Sequence, residues 1–355
     1  MIRIGIVGCG EVAQIIHLPT LAQLRDRFTV TALCDISPAV RDGVGARWNI
    51  PHRFADYRDL AACGEVDAVL VANPHVLHTE TALAAMAASK HVLIEKPLCI
   101  TPDEARALIK ARNQAGVVAQ VGYMRRHAPA FLAAKAIMPD PGEIRLARVH
   151  DVLGRNALII APTSNVFRPT DLPASAGAAI AAAMAAATEA AIGPAPPDLA
   201  NAYALLLGLS SHDISAMREL LGPPLRLLYA AHRGEGGRTL SAAFDYGSFV
   251  CNFESTIDLI PRFDAHIEVF TPTRVLRVTW DSPYVRNLPG RLAITDTDTS
   301  GNARSSETTF WKDPFVTEWE QFHAALTTKS PVKTTLEDAA ADLDLFQTMV
   351  TAMRG

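Results

Sequence analysis

Short apolar runs alternate with amphipathic stretches over the first third of the chain. Five runs of mostly β-branched and aliphatic residues are typical of buried parallel strands, at 2–7, 29–34, 68–72, 91–95 and 117–121. The intervening stretches 82–88 and 105–115 carry apolar residues at helical spacing. Because parallel strands require crossover connections, this alternation predicts a doubly wound parallel sheet.

The pattern changes near residue 124. A strand-like run at 144–152 is followed by an irregular segment, an alanine-rich stretch and a helical stretch at 198–221. From 225 to 310 we predict consecutive strands without intervening helices, which favours a mostly antiparallel open sheet in an α+β domain. The sequence therefore predicts two domains, 1–124 and 125–355, with two closing helices in 314–355 that can pack back on the first domain.

A glycine-rich turn directly follows the first predicted strand and opens a helical pattern, in the order Gly8-Cys9-Gly10-Glu11-Val12-Ala13. Gly8 permits the tight turn, Gly10 lets the backbone approach a pyrophosphate, and Ala13 keeps helix and strand close. The first helical turn offers unpaired N–H groups to the phosphates. The arrangement predicts a Rossmann dinucleotide-binding domain, with Glu11 and Val12 as further residues of the cofactor turn.

An acidic residue ends the second predicted strand. Asp35 lies about 20 residues after the glycine turn, where a carboxylate can bond the ribose hydroxyls of the adenosine. The same charge repels a 2′-phosphate, and Ile36 and Ser37 follow in place of an arginine. The sequence therefore favours NAD over NADP, against the alternative that Asp35 is merely a solvated residue near a glycine turn.

Composition excludes several function classes. The 355 residues carry a net charge of −4 without a basic patch, so neither nucleic acid nor an anionic membrane is an expected partner. Five scattered cysteines without a C-x-x-C pair argue against a disulfide framework, and no histidine–carboxylate spacing suggests a metal site. The alanine-rich stretch 176–192 looks too short and too weakly apolar to cross a bilayer. We expect a cytoplasmic protein.

Several segments together resemble the Gfo/Idh/MocA family, named for glucose–fructose oxidoreductase, inositol dehydrogenase and a rhizopine-catabolism protein. Besides the glycine turn and Asp35, the matching pieces are His17-Leu18-Pro19, Asn73-Pro74 with His78, His91-Val92-Leu93-Ile94-Glu95-Lys96-Pro97, and Val121-Gly122-Tyr123-Met124-Arg125-Arg126. The likeness returns at His212-Asp213-Ile214. A Glu-Lys-Pro motif after a strand, joined to the glycine turn, is specific for this family.

The resemblance implies an N-terminal Rossmann domain and a C-terminal domain whose open sheet often forms the subunit interface, here of a homodimer or homotetramer. Family members mostly oxidise a ring secondary alcohol of a sugar or cyclitol, or catalyse the reverse reduction. Further residues implied in cofactor binding are Asn73, Pro74, His78, Glu95 and Lys96. His78 is alternatively a helix-start residue.

The resemblance implies two catalytic residues, Lys96 and His212. Lys96 would contact nicotinamide and substrate, which agrees with the binding of ligands beyond the carboxyl ends of parallel strands. The alternative is a solvated loop lysine held by Pro97. His212 would act as general acid and base, because imidazole titrates near neutral pH. The alternative is a core histidine bonded to a backbone carbonyl.

One position departs from the family pattern. The family commonly carries an aspartate four residues before this histidine, and Gly208 stands there in this chain. The segment between Val152 and His212 also looks long for the family, and we interpret both features as signs of an altered substrate pocket that includes Gly208. Further candidates for the substrate site follow the fifth predicted strand: Tyr123, Arg125 and Arg126. A structural arginine–carboxylate pairing is the alternative for the two arginines.

The sequence favours hydride transfer between NAD, or less readily NADP, and a secondary alcohol of a sugar, cyclitol or related polyol. Two other functions stay open. An enzyme that retains its NAD could oxidise and re-reduce the substrate, with glycoside cleavage or epimerisation as the net result. The second alternative is a non-catalytic regulator that binds NAD. Gly208 supports this function, and the presence of Lys96 and His212 argues against it.

Overall fold

The structure is a computed structural model that describes all 355 residues. Strands and helices alternate over the first 123 residues in the order β1 (Ile2–Val7), α1 (Leu18–Gln23), β2 (Phe28–Cys34), α2 (Pro38–Arg47), β3 (His52–Phe54), α3 (Tyr57–Ala62), β4 (Ala68–Val71), α4 (His78–Ala87), β5 (His91–Glu95), α5 (Pro102–Ala115) and β6 (Ala119–Gly122). A π-helical turn, Ala13–His17, leads from the glycine turn into α1.

Helices and a long run of strands follow, in the order α6 (Met124–His127), α7 (Pro129–Ala136), β7 (Leu146–Gly154), α8 (Ala157–Thr163), α9 (Ala174–Ile192), α10 (Pro197–Leu205), α11 (Ser211–Leu221), β8 (Arg226–Arg233), β9 (Thr239–Asp245), β10 (Val250–Asp258), β11 (Phe263–Phe270), β12 (Arg274–Trp280), β13 (Gly290–Thr297), β14 (Ala303–Phe310), α12 (Pro314–Thr328) and α13 (Leu336–Met353). A second π-helical turn, Leu206–Ser210, joins α10 to α11.

The two predicted sheets are both present. The first has six parallel strands in the order β3-β2-β1-β4-β5-β6, so the strand order reverses between β1 and β4. Ligands of open parallel sheets bind beyond the carboxyl ends of the strands at such a reversal. The second has eight strands in the order β14-β13-β12-β11-β7-β10-β9-β8, antiparallel except for the β7–β10 pair. The predicted fold class is confirmed.

Two compact units divide the chain. The first comprises Met1–Tyr123, Ser164–Gly193 and Glu318–Asp344, and the second comprises Met124–Thr163, Pro194–Thr317 and Leu345–Gly355. The first unit therefore includes residues 164–193, which the sequence-based boundary at 124/125 assigns to the second domain. In this stretch, Phe167 bonds Gln14 and Asn165 bonds Arg47, which lie 153 and 118 positions earlier in the chain, a separation that local sequence patterns do not reveal.

Three details differ from the sequence-based expectation. The edge strand β3 was missed because its first two residues are exposed and form no apolar run. The helix predicted at 198–221 contains the π turn, which inserts an extra residue per turn. The alanine-rich helix α9 starts earlier than predicted, and its 19 residues are long and apolar enough, by length and composition, to cross a membrane. The expectation that this stretch is too short is therefore wrong.

Local capping explains where α5 begins and ends. The Thr101 hydroxyl accepts from the Glu104 N–H at 3.2 Å, and the Glu104 carboxylate accepts from the Thr101 N–H at 2.8 Å. Pro102 occupies the first helical position, and Gly116 ends the helix with a φ of +66°. This capping box fixes the chain just after the Glu-Lys-Pro segment.

The outer edge of the first sheet is covered by a distant piece of chain. The N–H of Val121 in β6 donates to the Thr334 carbonyl at 2.9 Å. The Thr334 hydroxyl donates to the Val121 carbonyl at 2.7 Å. Main-chain groups that an edge strand leaves unpaired are thus bonded within the first unit.

Candidate active site

The glycine turn has the geometry that dinucleotide binding requires. Gly8 has a φ of +91°, and a Cβ there would lie 2.5 Å from the Ala72 carbonyl oxygen, so only glycine fits. A Cβ at Gly10 would meet nothing within 4 Å, which leaves space for a phosphate beside the backbone. Ala13 is fully buried between helix and strand. The predicted roles of these three positions agree with the local geometry.

The Asp35 carboxylate is fixed beside this turn. Its Oδ2 accepts from the Cys9 N–H and its Oδ1 from the Ser37 N–H, both at 2.9 Å. Asp35 is only half-buried, so the carboxylate keeps an open side on which ribose hydroxyls can donate to it. Burial, together with the nearby Asp35 charge, raises the pKa of the Cys9 thiol well above its usual range. Cys9 therefore stays protonated and takes no part in thiolate chemistry.

A buried chain of hydrogen bonds fixes the Glu-Lys-Pro segment at the end of β5. The Trp319 indole N–H donates to His17 Nδ1 at 3.1 Å, which leaves the ring proton on Nε2. That Nε2–H donates to Glu95 Oε1 at 2.8 Å, and Glu95 Oε2 accepts from the Lys96 N–H at 3.1 Å. Burial tends to raise the pKa of Glu95, but the His17 hydrogen bond and the Lys96 charge outweigh it and hold the pKa low. Glu95 is thus a charged group that positions Lys96.

Lys96 is half-exposed at the carboxyl end of β5, and its peptide bond to Pro97 is cis. Burial, together with the Lys96 charge, lowers the pKa of His75 to about 3. His75 follows β4 and Lys96 directly follows β5, so both residues lie at the carboxyl edge of the sheet. A strongly shifted pKa at that edge is typical of a functional site.

His78 connects the two loops that follow β4 and β5. Its Nδ1 lies 2.8 Å from the Pro97 carbonyl oxygen and its Nε2 lies 2.9 Å from the Asn73 carbonyl oxygen. Burial, despite these two carbonyl contacts, lowers the pKa of His78. The ring is fully buried, and His78 is the first residue of α4. His78 therefore supports the loops as a helix-start residue, and its ring nitrogens are not available to a cofactor.

Asn73 and Pro74 form the loop at the end of β4. The Asn73 amide donates to the Thr81 hydroxyl at 2.8 Å. Its Oδ1 is buried and has no hydrogen-bond partner, which is costly unless a ligand or water supplies a donor. Pro74 is exposed beside it. Together with the space at Gly10, this acceptor shows that the residues present fit a dinucleotide.

His212 lies in the second unit, one residue into α11. Its side chain is 8% exposed, and its carbonyl accepts from the Ser215 hydroxyl at 3.1 Å. Gly208 lies in the preceding π turn and borders a cavity of about 430 Å³ within the same unit. The other polar residues that line this cavity are Arg155, Asn156, Asn201 and Arg238.

The two arginines after β6 are structural. Arg125 is fully buried and donates to Asp151 at 3.0 Å and also to Asp213. Burial raises the pKa of Asp213 far above its usual value, and the adjacent Asp151 adds to this shift although Arg125 opposes it. One buried guanidinium therefore lies between two buried carboxyl groups. Arg126 pairs with the buried Glu219. Of the predicted alternatives, the carboxylate pairing applies to both arginines.

Tyr123 is 2% exposed, so its side chain belongs to the core of the first unit. Sequence reasoning missed three contributors to the site. His17 was noticed as part of a motif but was given no role, and Trp319 gave no signal because it lies 302 positions away. Phe167 was also missed: its N–H and carbonyl bond the Gln14 amide, both at 2.8 Å, next to the glycine turn. Glu11 of that turn pairs with Arg168 at 2.7 Å.

One histidine–carboxylate cluster was not expected from the spacing. His150, Asp264 and His266 on neighbouring strands β7 and β11 bring their ligand atoms within 4.8 Å of one another. Arg277 lies 3.1 Å from His266 Nδ1. The guanidinium already supplies a positive charge there, so the cluster is a charge network on the sheet surface.

The part of the chain that forms the first sheet and its glycine turn matches a known family model. The family model described as an oxidoreductase family with an NAD-binding Rossmann fold matches residues 2–123. Residues 2–123 are thus similar to the Gfo/Idh/MocA family. Inositol 2-dehydrogenase of Klebsiella pneumoniae subsp. pneumoniae is 32% identical over 165 residues, which are 44% of this chain and 48% of that protein. The chain thus spans about half the length of the curated relatives it matches.

Solved structures extend the likeness in fold to nearly the whole chain. KijD10, a 3-ketoreductase from Actinomadura kijaniata in complex with TDP-benzene and NADP, has a TM-score of 0.74 at 19% identity and covers 99% of this chain and 98% of its own. The WlbA dehydrogenase from Bordetella pertussis, in complex with NADH and UDP-GlcNAcA, has a TM-score of 0.70 at 20% identity and covers 99% and 96%. Residues 2–123 match an NAD-binding Rossmann family, and the two solved structures contain NADP and NADH, respectively.

Proposed function

We propose that this protein is an NAD-dependent dehydrogenase that transfers a hydride between NAD and a secondary alcohol of a sugar, cyclitol or related polyol. The observation that carries the proposal is the buried Trp319–His17–Glu95 chain, which holds the Lys96 loop at the end of β5. The glycine turn follows β1 in the same parallel sheet, so both loops lie at its carboxyl edge.

Each reacting atom has a group in this chain suited to it. The Lys96 ammonium would stabilise the negative charge that develops on the substrate oxygen. His212 would accept the hydroxyl proton as the hydride leaves carbon, and would return it in the reverse direction. When bound, the nicotinamide supplies the hydride acceptor. The substrate alcohol loses two electrons and two hydrogen nuclei, one with the hydride and one as the His212 proton.

NAD is the cofactor we propose. The half-buried Asp35 carboxylate is held by two main-chain N–H groups and can accept from ribose hydroxyls. A fixed carboxylate at this place disfavours a second negative group on the ribose. The residues that would contact the bound cofactor include Gly8, Gly10 and Asn73, whose geometry allows a dinucleotide to approach closely.

A polyol is the proposed substrate because of the groups around the cavity beside Gly208. Its polar lining consists of arginine and asparagine side chains, which can donate to hydroxyl oxygens, and its floor carries Leu205 and Leu209. Such a mixture suits a ring with hydroxyl groups on its rim and an apolar face. The names of the curated relatives, inositol 2-dehydrogenases, support the same class.

Self-association and compartment are further proposals. The last strand, β14, is exposed along nearly its whole length, and Trp311 after it is 71% exposed. An exposed strand with an adjacent large aromatic favours burial against a second copy, as a homodimer or homotetramer. All five cysteines are free thiols, which suits a reducing cytoplasm. We propose neither nucleic acid nor membrane as a partner.

The test measures NADH absorbance after the purified protein is mixed with NAD and a panel of cyclitols, aldoses and glycosides. We expect NADH with at least one polyol, and loss of about 10²-fold or more of the rate in His212→Ala protein. Lys96→Ala should reduce kcat more than it raises KM, because the charge acts on the developing alkoxide. Arg126→Lys serves as the matched control, since that side chain pairs with Glu219.

Two results would contradict the proposal. If wild-type protein binds NAD but reduces none across the panel, a retained-cofactor enzyme or a regulator replaces it. Glycoside consumption without net NADH would identify the former. If His212→Ala and Lys96→Ala proteins keep the wild-type rate, the assigned roles are wrong even though the activity stands.

A further inference from the structure

An acidic side chain from the segment between α8 and α9 lies at the start of α2. The Ser37 hydroxyl donates to Asp171 Oδ1, and the Ala39 N–H donates to Asp171 Oδ2 at 2.7 Å. Ser37 is the N-cap of α2, so its hydroxyl also accepts from the Val40 N–H at 3.2 Å. All of these residues belong to the first unit. Asp171 therefore bonds the first free donors of a ten-residue helix.

These donors adjoin the place where the adenosine ribose binds in a Rossmann domain. Asp35, which accepts from ribose hydroxyls in such domains, also accepts from the Ser37 N–H at 2.9 Å. A phosphate on the ribose 2′-oxygen would therefore lie next to Ser37 and the start of α2. Hydroxyl and main-chain N–H groups at a helix N-terminus are the donors that bind phosphate.

A third phosphate-binding group is present one turn further along α2. Arg41 donates to the Asp35 carbonyl at 3.2 Å, and its side chain is 18% exposed. An arginine near this acidic residue commonly accommodates the 2′-phosphate of NADP. The Ser37 hydroxyl foremost, then the Ala39 N–H and more weakly the Arg41 charge, lower the pKa of Asp171. The chain thus carries a phosphate-type donor set that its own carboxylate satisfies.

We propose that Asp171 determines cofactor specificity by occupying the 2′-phosphate position, so that the protein accepts NAD and rejects NADP. This inference rests on the proposed use of a nicotinamide dinucleotide. NADP would have to displace Asp171 from Ser37 and Ala39 and would also meet the charges of Asp171 and Asp35. NAD, with a 2′-hydroxyl, needs neither change. Specificity therefore comes from a segment distant in sequence as well as from the end of β2.

The segment around Asp171 is held in place independently of that carboxylate. Phe167 bonds Gln14 through its N–H and its carbonyl. Arg47 donates to the Asn165 carbonyl at 2.9 Å and stacks over the Phe167 ring at 4.2 Å. Gly43 on α2 makes room for that ring, since a Cβ there would lie 2.7 Å from it. Removal of the Asp171 carboxylate should therefore leave the segment against α2.

The test measures binding, without a substrate. Wild-type, Asp171→Ala, Asp171→Asn and Asp35→Ala proteins are titrated with NAD and NADP by calorimetry. They are also titrated with 5′-AMP and 2′,5′-ADP, which differ only at the 2′-phosphate. Asp103→Asn is the matched control, because Asp103 also lies in the first turn of a helix of this unit but at α5. Unfolding curves of every variant verify that it is folded.

We expect wild-type protein to bind NAD more tightly than NADP. Asp171→Ala should tighten NADP and 2′,5′-ADP about tenfold or more, the effect of one freed charge-assisted phosphate contact. NAD and 5′-AMP should change less than about threefold by the same scale. Asp171→Asn, which removes the charge but keeps an acceptor for Ser37, should give a smaller gain. Asp35→Ala combined with Asp171→Ala should reverse the preference.

The inference is overturned if wild-type protein prefers NADP, or if folded Asp171→Ala binds NADP no more tightly than Asp103→Asn does. Should Asp171→Ala fail to fold, Asp171→Asn decides the matter by the same ratio. Failure of the proposed function looks different. If wild-type protein binds NAD tightly but oxidises no polyol, the dehydrogenase proposal is wrong and the proposed role of Asp171 still stands. If the protein binds neither dinucleotide, both proposals are wrong.

Discussion

Each unit buries a charged cluster, and the two clusters shift the pKa of a buried carboxyl group in opposite directions. Glu95 accepts from the His17 ring and from the Lys96 N–H, and its pKa is held low. Asp151 and Asp213 instead share Arg125, and burial raises the pKa of Asp213. The first cluster keeps a negative charge at the edge of a sheet, where it can orient a lysine. The second surrounds one buried guanidinium with two buried carboxyl groups and supports the structure of its unit.

The largest effect should follow from removing the shared cation of the second cluster. Arg125→Met leaves buried carboxylates without a partner, and we expect a loss of about 3–5 kcal/mol in the free energy of unfolding. Urea denaturation at neutral pH measures it. Arg148→Met is the control, since that side chain is 46% exposed and lies 3.5 Å or more from its carboxylate partners, the exposed Glu254 and the partly buried Glu268. If the free energy of unfolding falls no more than in the control, the cluster around Arg125 does not have this structural role. Adding Asp151→Asn and Asp213→Asn should recover part of the stability.

The pH dependence of stability should separate the two clusters next. Glu95 has a folded pKa below the unfolded value of about 4.3, so its contribution is complete above that pH and is lost as pH falls through the folded pKa. Asp213 has a folded pKa above the unfolded value of about 3.9. The folded state then binds the extra proton, and stability declines as pH rises from that value towards the folded pKa.

Two neutral variants test these opposite slopes. Glu95→Gln should flatten the acid limb of a plot of unfolding free energy against pH. Asp213→Asn should flatten the decline above about pH 4. Urea denaturation over a series of pH values provides the plot. If both variants alter the same limb, the two clusters do not differ as described.

A smaller effect should come from the far end of the first cluster. Trp319→Phe removes the donor to His17 Nδ1 and should cost about 1–2 kcal/mol of unfolding free energy. The His17 ring should also lose its single tautomer, which nitrogen chemical shifts report. Trp311→Phe is the control because Trp311 is 71% exposed. An unchanged tautomer in Trp319→Phe would mean that Glu95 alone orients the ring.

The smallest effect should come from the position beside the second unit's cavity. Gly208→Ala adds one methyl group in the π turn, and we expect a change of less than about 1 kcal/mol in the free energy of unfolding. Gly8→Ala, which would bring a Cβ within 2.5 Å of the Ala72 carbonyl oxygen, should cost clearly more. Thermal unfolding of both variants gives the comparison. Equal losses would show that Gly208 is as constrained as Gly8.

The first sheet, its glycine turn and Asp35 followed from the sequence because their signals are local. Buried parallel strands give apolar runs, and a turn of fixed geometry needs glycine at fixed positions. β3 did not, since an exposed three-residue edge strand has no such run. The antiparallel character of the second sheet was also predictable from consecutive strands, although the parallel β7–β10 pairing was not.

The supporting residues of the site were beyond sequence reasoning. Trp319 and Asp171 meet their partners 302 and 134 positions away, and nothing in their neighbouring residues marks them. The choice between a substrate-binding and a structural role for Arg125 depended on Asp151 and Asp213, which only the folded chain brings together. A local sequence pattern predicts a helix or a strand, whereas the partner of a buried charge is determined by the tertiary structure.

The Thr334 bonds to β6 have a consequence for biosynthesis. Residues 1–122 complete all six strands of the first sheet, but its β6 edge gains this cover only when Thr334 has left the ribosome. During that interval the nascent chain exposes an apolar, unpaired strand, the kind of surface on which chains aggregate. Translation speed and chaperone occupancy over the middle of the message should therefore govern the yield of folded protein.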